Sequence, residues 1–594
     1  MNAPDPLPVD ATLTVEQKEY LQGFTAGVAA ATALPFVGQN AQGQLTASAS
    51  DGSQNLAAPS KWFGFDPDEI TNEERLKRDQ NPLDIWDKML AHASANKAPE
   101  GGDVYRFKFH GLFYVAPAQD AFMVRVRMPG NFLTSTQMRA LAAVARELGG
   151  GYGHVTSRGN IQIREIAPKS IIDLLMRLSD VGLSTRGAGA DNVRNITSSP
   201  LAGLDPDELI DTHPLARGLQ CYLLNNRDLF GLPRKFNVSF DGGGRVSVVA
   251  DTNDIGFVAT RLEASEGIAA GVYFRVWLAG VTGHQRFAED CGILVSAEEC
   301  VAVAAAMLRV FVEHGDRTDR KRARLCYLLD RIGVPQFLAF AQEKLAFPLR
   351  HVPAGTCAPR PPVDKHGHLG VRAQKQAGLH SIGIAIPVGH MRHEQMSALA
   401  ELADDFGSGE LRTTVWQNII LPNVRNAVLE QACAAIRASG FDFAASALAG
   451  CIVACTGNTG CRFSATDTKS QALALMRHLD EHVKLDLPIN IHLTGCPNSC
   501  AQHFVADIGL LGVPVAQGEG SIEGYHVYVG GAVEQERGLG RELAKNVPFA
   551  HVPPLLQRLL TGYIAQRAAG ETFVAFARRH DVAALRALAG AVDA

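Results

Sequence analysis

Four cysteines in the C-terminal part of the chain are spaced as two pairs. Cys455 and Cys461 form Cys-x5-Cys, and Cys496 and Cys500 form Cys-x3-Cys, all within 46 residues. Four thiolates can bind zinc or an iron–sulfur cluster. These spacings, set among Gly, Thr, Asn and Pro, favour a cluster, because zinc sites prefer short Cys-x2-Cys pairs and such loops leave backbone N–H groups free to point at sulfur. Zinc stays open as the alternative.

The remaining cysteines are interpreted as structural. Cys451 lies near the pairs but outside their spacing and is predicted to be a packed core thiol. The others are scattered: Cys221, Cys291, Cys300, Cys326, Cys357 and Cys433. A large chain with clustered thiols and no secretory signal indicates a reducing compartment, so we expect a cytoplasmic protein.

A second set of candidate site residues lies in the N-terminal part; its side chains are polar, and most of them are cationic. Residues two apart share one face of a strand, which groups Arg158, Asn160, Gln162 and Arg164. Other members come from neighbouring segments: Arg125, Arg194, Arg234, Lys235 and Asn237. Converging cations suit a polyanionic ligand or a small anionic substrate. The alternative interpretation is a polar face that is simply wetted by solvent.

These two sets belong to the two copies of an internal repeat. Residues 123–163 align with 381–421 at a constant offset of 258, with 12 of 41 positions identical. Each copy is predicted as strand, helix, strand, with Thr134 and Gln137 as a capping box. A weaker match follows, from Leu232 and from Leu487. It replaces Arg234, Lys235 and Asn237 by Ile489, Asn490 and His492, so the first copy is predicted to supply charge and the second metal.

The repeat predicts two pseudo-twofold-related halves with a shared cleft, a common site for a large ligand. The proposed domains are a flexible extension with a short helix near Glu16–Ala30 (1–60), a first repeat (61–185), a first larger domain (186–351), a second repeat (352–440) and a second larger domain with closing helices (441–594). A linker is predicted from Val352 to Gly370. The net charge of −5 gives no footprint for nucleic acid, and no apolar run is long enough to span a membrane.

Several segments together resemble the siroheme-dependent nitrite and sulfite reductases from about residue 65 to the C-terminus. They are "FMVRVRMPG", "TSRGNIQIRE", "DNVRN", "LPRKFN", "ACTGNTGC", "TGCPNSCAQ" and "GYHVYVGG". The resemblance implies an α+β, duplicated nitrite/sulfite reductase fold. Each half would contain a ferredoxin-like subdomain and a larger α/β subdomain.

The resemblance also implies the cofactors and the role of each residue. Cys455, Cys461, Cys496 and Cys500 would hold a [4Fe–4S] cluster, and Cys500 would also be the axial ligand of siroheme. Partners of the siroheme carboxylates would be Arg158, Arg164 and Arg234, with Asn160 as a further cofactor-binding residue. Arg125, Arg194 and Lys235 would bind the anionic substrate and deliver protons. The family's usual glutamine is Gly159 here, which puts one siroheme contact in doubt.

The implied activity is assimilatory reduction of nitrite to ammonia by six electrons. Sulfite reductases of the family tend to carry a second lysine where this chain has Asn237, so nitrite is favoured and sulfite is the alternative. No full nucleotide-binding motif is present. We therefore expect a protein donor such as ferredoxin or flavodoxin, and a monomeric enzyme. The basic run Arg317–Arg324 is a candidate docking patch or else a solvated helix face.

Other functions stay open on the sequence. A relative that uses this scaffold in tetrapyrrole synthesis is a more distant possibility. A zinc- or cluster-stabilised binding protein without catalysis belongs to a different class. Siroheme absorbs strongly in the visible range and zinc does not, so a spectrum distinguishes them.

Overall fold

The computed structural model describes residues 61–263, 267–443 and 448–591. The chain divides into two units, Met1–Trp62 and Phe63–Ala594, and the elements named below belong to the second. The predicted flexible extension and the helix near Glu16–Ala30 lie outside the described residues. Within the described ranges, no helix is both long enough and apolar enough to cross a membrane.

We call residues 61–351 the first half. Its strands are β1 (Leu112–Val115), β2 (Ala121–Arg125), β3 (Phe132–Thr134), β4 (Tyr152–Val155), β5 (Ile161–Ile166), β6 (Thr197–Ser198), β7 (Val238–Asp241), β8 (Ile255–Leu262), β9 (Gly271–Leu278), β10 (Glu289–Val295) and β11 (Arg350–His351). Its helices are α1 (Asn72–Asp79), α2 (Trp86–Ala95), α3 (Asp103–Arg106), α4 (Ser135–Leu148), α5 (Ile171–Asp180), α6 (His213–Asn225), α7 (Cys300–His314), α8 (Leu325–Ile332) and α9 (Val334–Gln342).

The second half is residues 352–591. Its strands are β12 (Gly370–Ala373), β13 (Leu379–Ile384), β14 (His390–Arg392), β15 (Glu410–Thr413), β16 (Ile419–Arg425), β17 (Ile452–Ala454), β18 (Ile491–Thr494), β19 (Ile508–Gln517), β20 (Gly520–Val529) and β21 (Arg541–Pro548). Its helices are α10 (His393–Phe406), α11 (Leu429–Ala438), α12 (Thr468–His482), α13 (Val552–Gln566), α14 (Phe573–Arg579) and α15 (Val582–Ala589). The last three are the predicted closing helices.

Helix α4 forms where its sequence pattern predicts. The Thr134 hydroxyl accepts the Gln137 N–H at 3.2 Å, and the Thr134 N–H donates to the Gln137 side chain at 3.0 Å, which completes the capping box. Met138 and Leu141 are fully buried on its inner face. Burying each such side chain stabilises the fold by about 1.5–3 kcal/mol. Helix α10 lies at the same offset of 258 residues as the sequence repeat.

The two repeats exchange short strands, which the sequence did not predict. One sheet has the order β1-β2-β5-β4-β14 and the other β12-β13-β16-β15-β3. Thus β14 of the second half pairs with β4, and β3 of the first half pairs with β15, both antiparallel. Helices α4 and α10 pack together, and one hydrophobic core contains residues of both repeats. The halves are therefore interlocked rather than merely adjacent.

The larger sheets of the two halves share one topology. In each, the first three strands are parallel and the next two are antiparallel: β6-β7-β8-β9-β10 in the first half and β17-β18-β19-β20-β21 in the second. Short β11 extends the first sheet beyond β10. The predicted linker is the connection between β11 and β12.

The downstream sequence match has the wrong register. The Asn237 N–H donates to Asp254 Oδ2 at 2.8 Å, and the Asn490 N–H donates to Asp507 Oδ2 at 3.0 Å. Asn237 therefore corresponds to Asn490 and not to His492. The match was two residues out because a two-residue slip keeps every side chain of a strand on its own face.

Candidate active site

The four spaced cysteines follow neighbouring strands of the second half. Cys455 follows β17, and Cys496 and Cys500 lie in the loop after β18. Because β17 and β18 are parallel, their carboxyl ends meet at one edge of the sheet. The Cys455 N–H donates to the Leu493 carbonyl at 3.0 Å, which fixes the two loops against each other.

The four thiols lie close enough to influence one another. The Cys500 residue is exposed to solvent, yet the protein packed around its thiol raises the pKa of that thiol to about 11, while Lys235 opposes the increase. Cys455, Cys496 and Cys461 each contribute to the same increase. Burial likewise raises the pKa of Cys496, with Cys455 and Cys461 adding to it. Cys451 is 1% exposed, in agreement with the predicted core thiol.

Hydrogen-bond donors already point at these sulfurs. The Gly495 N–H lies 3.2 Å from Cys455 Sγ, and the Asn498 side-chain amide lies 3.5 Å from Cys496 Sγ. Such donors stabilise thiolates and tune an iron–sulfur centre. In the described ranges, no three His, Cys, Asp or Glu side chains form a group that could hold a single metal ion. The donor set and its Gly-, Thr- and Asn-rich loops fit a cluster ligand role, which stays a prediction.

Two arginines of the first half meet at one carbonyl oxygen. Arg194 donates to the carbonyls of Ala188 and Ala190, each at 2.8 Å, and Arg125 donates to the same Ala188 oxygen at 3.4 Å. The Arg125 guanidinium also stacks over Phe113 at 4.7 Å. Burial lowers the pKa of Arg194 to about 9, and neighbouring Arg125 contributes. Both groups remain charged at neutral pH.

Lys235 joins this cationic group. Burial lowers its pKa to about 8, Arg324 lowers it further, and the Cys500 thiol acts in the opposite direction. Among the residues that the structure describes, no carboxylate lies within ion-pair distance of Arg125, Arg194 or Lys235. Like charges held together without an ion-paired carboxylate favour the binding of an anion, and buried Asp191 acts on Arg194 only from a longer distance.

Arg234 is anchored by an aspartate that sequence reasoning missed. Asp191 is fully buried and lies 3.7 Å from Arg234, and Arg320 binds it with two contacts of 2.7 and 2.9 Å. Tyr105 donates to the same carboxylate at 2.7 Å. Burial raises the pKa of Asp191, but the neighbouring cations outweigh burial and hold it below its usual range. In the sequence, the segment "DNVRN" had indicated only Arg194 as a candidate site residue, and not Asp191.

Arg158 and Asn160, predicted to bind cofactor, make contacts within the protein. Arg158 donates to Asn253 and to the Asn195 carbonyl at 2.8 Å, and its Nε is buried without a partner in the described residues. Asn160 donates to the Val126 carbonyl at 2.9 Å. Their roles toward siroheme therefore stay predictions.

Arg164 reaches out of the first half to the cysteine loop. It donates to the Gly460 carbonyl at 3.1 Å and to the Thr456 hydroxyl at 2.9 Å, both between Cys455 and Cys461. The first half also contacts the second cysteine pair, since the Ser157 hydroxyl donates to the Cys500 carbonyl at 2.7 Å. The predicted contact of Arg164 with a siroheme carboxylate stays a prediction beside this observed one.

Gly159 has a local explanation. Its φ of +58° is in the left-handed region, and a Cβ there would lie 2.6 Å from the Asn131 side chain. Asn131 donates to the Ser198 carbonyl at 3.1 Å. In the second repeat Gln417 stands at this position and exchanges two hydrogen bonds with the backbone of Ala454, beside Cys455. Asn131 thus donates to a carbonyl of β6 as Gln417 donates to a carbonyl of β17.

The basic run Arg317–Arg324 is mostly not a free surface. Arg317 is buried against Glu74 at 2.6 Å, and Arg324 is buried against Asp254 at 2.7 Å. Lys321 and Arg322 are exposed. The run is a loop rather than a helix face, so neither sequence interpretation describes it fully.

Comparisons with known proteins agree with this architecture. The family model described as "Nitrite and sulphite reductase 4Fe-4S domain" matches residues 189–349 and 450–591. The model "Nitrite/Sulfite reductase ferredoxin-like half domain" matches residues 116–181 and 372–439. Each model matches once in either half, as an internal duplication requires.

This chain aligns with nearly the full length of individual relatives. The chain is 35% identical over 523 residues to a ferredoxin–nitrite reductase of Synechococcus elongatus, covering 86% of this chain and 98% of the relative. It is 29% identical to sulfite reductase [ferredoxin] 1 of Mycolicibacterium paratuberculosis, covering 89% and 98%. The solved structure of the Mycobacterium tuberculosis NirA protein superposes with a TM-score of 0.80 at 28% identity, covering 87% and 98%. The predicted duplicated α+β fold is confirmed.

Proposed function

The chain belongs to the nitrite and sulphite reductase family, a family of oxidoreductases, and we propose that it reduces nitrite to ammonia with electrons from ferredoxin. Reduction of sulfite to sulfide is the alternative. The observation that carries the proposal is the placement of Cys500. This thiol interacts both with the other three spaced cysteines and with Lys235 of the first-half cations.

The proposed cofactors are a [4Fe–4S] cluster and siroheme. Cys455, Cys461, Cys496 and Cys500 would hold the cluster, and Cys500 would also hold the siroheme iron. Arg158 and Arg234 would bind its carboxylates, and Asn160 would be a further cofactor-binding residue, whereas the observed hydrogen bonds commit the Arg164 guanidinium to the loop from Cys455 to Cys461. When bound, these groups supply single electrons to the substrate.

The chain's own residues bind the anion and move protons. The Arg125 and Arg194 guanidinium groups are fixed by Phe113 and by backbone carbonyls, so they need little reorganisation to meet an oxyanion. Their charge acts more strongly in a partly desolvated cleft than in water. Lys235, with a pKa of about 8, is positioned to donate a proton at Nζ as N–O bonds break.

Steady-state turnover with a reduced viologen dye tests the substrate. We expect a higher kcat/KM for nitrite than for sulfite, with ammonium as the product. A higher kcat/KM for sulfite would establish the alternative instead.

Asn237 is predicted to contribute to the choice between the two anions. Asn237 lies two positions after Lys235, and its backbone N–H is held by the Asp254 carboxylate. Asn237→Lys adds a charge near the substrate and should raise the sulfite-to-nitrite ratio of kcat/KM by about tenfold or more. Asn237→Met is the uncharged control of similar length. An unchanged ratio in the lysine variant would show that this side chain does not select the substrate.

The donor is proposed to dock beside the first cysteine loop, which we define as residues 455–461. Phe463 is 60% exposed two residues after Cys461, and Arg462 stacks on it at 4.8 Å. Burial lowers the pKa of Lys108, Arg462 lowers it further and Glu73 opposes them, so a second cation lies near Arg462. An acidic one-electron carrier would meet complementary charge here.

Phe463→Asp should weaken this encounter without touching the chemistry. It removes apolar contact and repels an acidic donor, so we expect the KM for ferredoxin to rise by about tenfold. Viologen-driven turnover should not change. Met176→Asp on α5, at a side chain 58% exposed, is the matched control. Equal KM values for the two variants would place the donor elsewhere.

A further inference from the structure

Hydrogen bonds hold the Arg164 side chain against the first cysteine loop and leave it little conformational freedom. It starts on β5 of the first half, is 3% exposed, and spans Gly460 and Thr456 of the second half. Gln162 accepts a third hydrogen bond from the guanidinium at 3.1 Å. The contact joins residues almost 300 positions apart and lies outside the sequence repeat, since Pro422 stands at the equivalent position of β16.

The loop is shaped to admit this guanidinium. A Cβ on Gly460 would lie 2.5 Å from Arg164 Nη1 and 2.9 Å from the Thr456 methyl group. Any side chain at position 460 would therefore displace Arg164. Cys461 and Cys455 are among the groups whose negative charge acts on Arg164, which places the guanidinium beside both thiols.

A second cation, Lys469, lies near the same loop. Lys469 lies in the first turn of α12 and donates to the Val388 carbonyl. Cys455 is the strongest of the negative groups acting on it, ahead of Asp467. The amino end of α12 carries positive partial charge, and Thr468 of that turn donates to the Cys455 carbonyl at 2.9 Å. In the described part of the chain, neither Arg164 nor Lys469 forms an ion pair with a carboxylate, and Glu165 and Asp467 act on them only from a longer distance.

We propose that Arg164 and Lys469 are positioning residues that raise the reduction potential of the cluster held by Cys455, Cys461, Cys496 and Cys500. The inference rests on the proposed function, since it requires that cluster. A cluster with four thiolate ligands gains negative charge when it accepts an electron. Two nearby cations, Arg164 buried and Lys469 half-buried, that form no ion pair with a described carboxylate stabilise the reduced form more than the oxidised form. Arg164 thereby gives the first half control over electron entry in the second.

Redox titration of the holoenzyme followed by EPR tests this inference. Arg164→Gln and Lys469→Gln should each lower the equilibrium constant for one-electron reduction of the cluster by about tenfold. That change is a shift of about 59 mV to more negative potential. Arg164→Lys, which keeps the charge, should recover most of the shift. Lys484→Gln removes an exposed lysine of the same half and should leave the potential unchanged.

The outcomes separate this inference from the proposed function. Full iron and sulfide content with wild-type potentials in both glutamine variants would overturn the role of the two cations. If Arg164→Gln loses the cluster on purification, the Lys469→Gln potential decides. A wild-type protein that binds no iron–sulfur cluster would instead refute the proposed function, and this inference with it.

Discussion

Cys500→Ser is expected to abolish nitrite reduction, because this thiol is proposed to serve both cofactors. It interacts with the other three spaced cysteines and with Lys235 across the cleft. Loss of an outer-shell partner typically costs about 10- to 100-fold in metal affinity or activity. Loss of a shared ligand should exceed that, so viologen-driven turnover should fall to background. EPR should show that the cluster signal and its coupling to the haem disappear together.

Cys433→Ser is the matched control for this substitution. Cys433 lies on α11 among the scattered thiols, and its side chain packs against the hydrophobic core that the two repeats share. Its serine variant should retain cofactors and turnover. If Cys500→Ser kept wild-type turnover and the coupled EPR signal, the assignment of Cys500 as the shared ligand would be wrong.

Lys235→Gln is expected to have the second largest effect. A general acid contributes about 10²- to 10⁴-fold, and kcat/KM for nitrite should fall by an amount in this range. Because burial lowers the pKa of Lys235 to about 8, the wild-type kcat/KM should fall as pH rises through that value and the proton is lost. The glutamine variant should lack this decline. Stopped-flow and steady-state rates measured from about pH 6 to about pH 10, a range that spans the pKa of Lys235, test both effects.

Two further variants separate charge from proton transfer at this position. Lys235→Arg keeps a positive charge but does not release a proton in this pH range, so KM should change little while kcat falls. Lys321→Gln removes an exposed lysine of the same half and should behave as wild type. A pH decline near 8 that persists in Lys235→Gln would assign that proton to another group.

The repeat could be predicted because it carries its own internal register. The offset of 258, the Thr134–Gln137 capping box and the buried stripe with Met138 and Leu141 all reappear in the structure. These are local signals, set by helical periodicity and by contacts three residues apart. The four spaced cysteines could be singled out because two close pairs in one segment have few structural explanations, and their role as cluster ligands stays a prediction.

The exchange of β3 and β14 could not be predicted in the same way. Each strand has three residues, which is too short for an alternating pattern, and its partner lies in the other half of the chain. The register of the match from Leu232 failed because two-residue slips preserve strand faces. The Asp254 and Asp507 side chains fix the true register through backbone contacts that no pattern shows.

The sequence indicated which side chains of the candidate site are cationic, but it did not indicate which groups each of them contacts. Sequence reasoning grouped Arg158 with Arg164 on one strand face, whereas the structure directs Arg158 into its own half and Arg164 to Gly460 of the other. The sequence also gave no indication that Arg317 and Arg324 have buried carboxylate partners in Glu74 and Asp254. A long side chain has several reachable partners, and tertiary packing selects among them.

The visible absorption spectrum of the purified protein, recorded before and after addition of nitrite, tests the central claim most directly. Protein from cells able to make siroheme should show an intense Soret band and a red band, and both should shift when nitrite binds. A protein without these bands from the same cells, or bands that nitrite leaves unchanged while turnover is absent, would contradict the account.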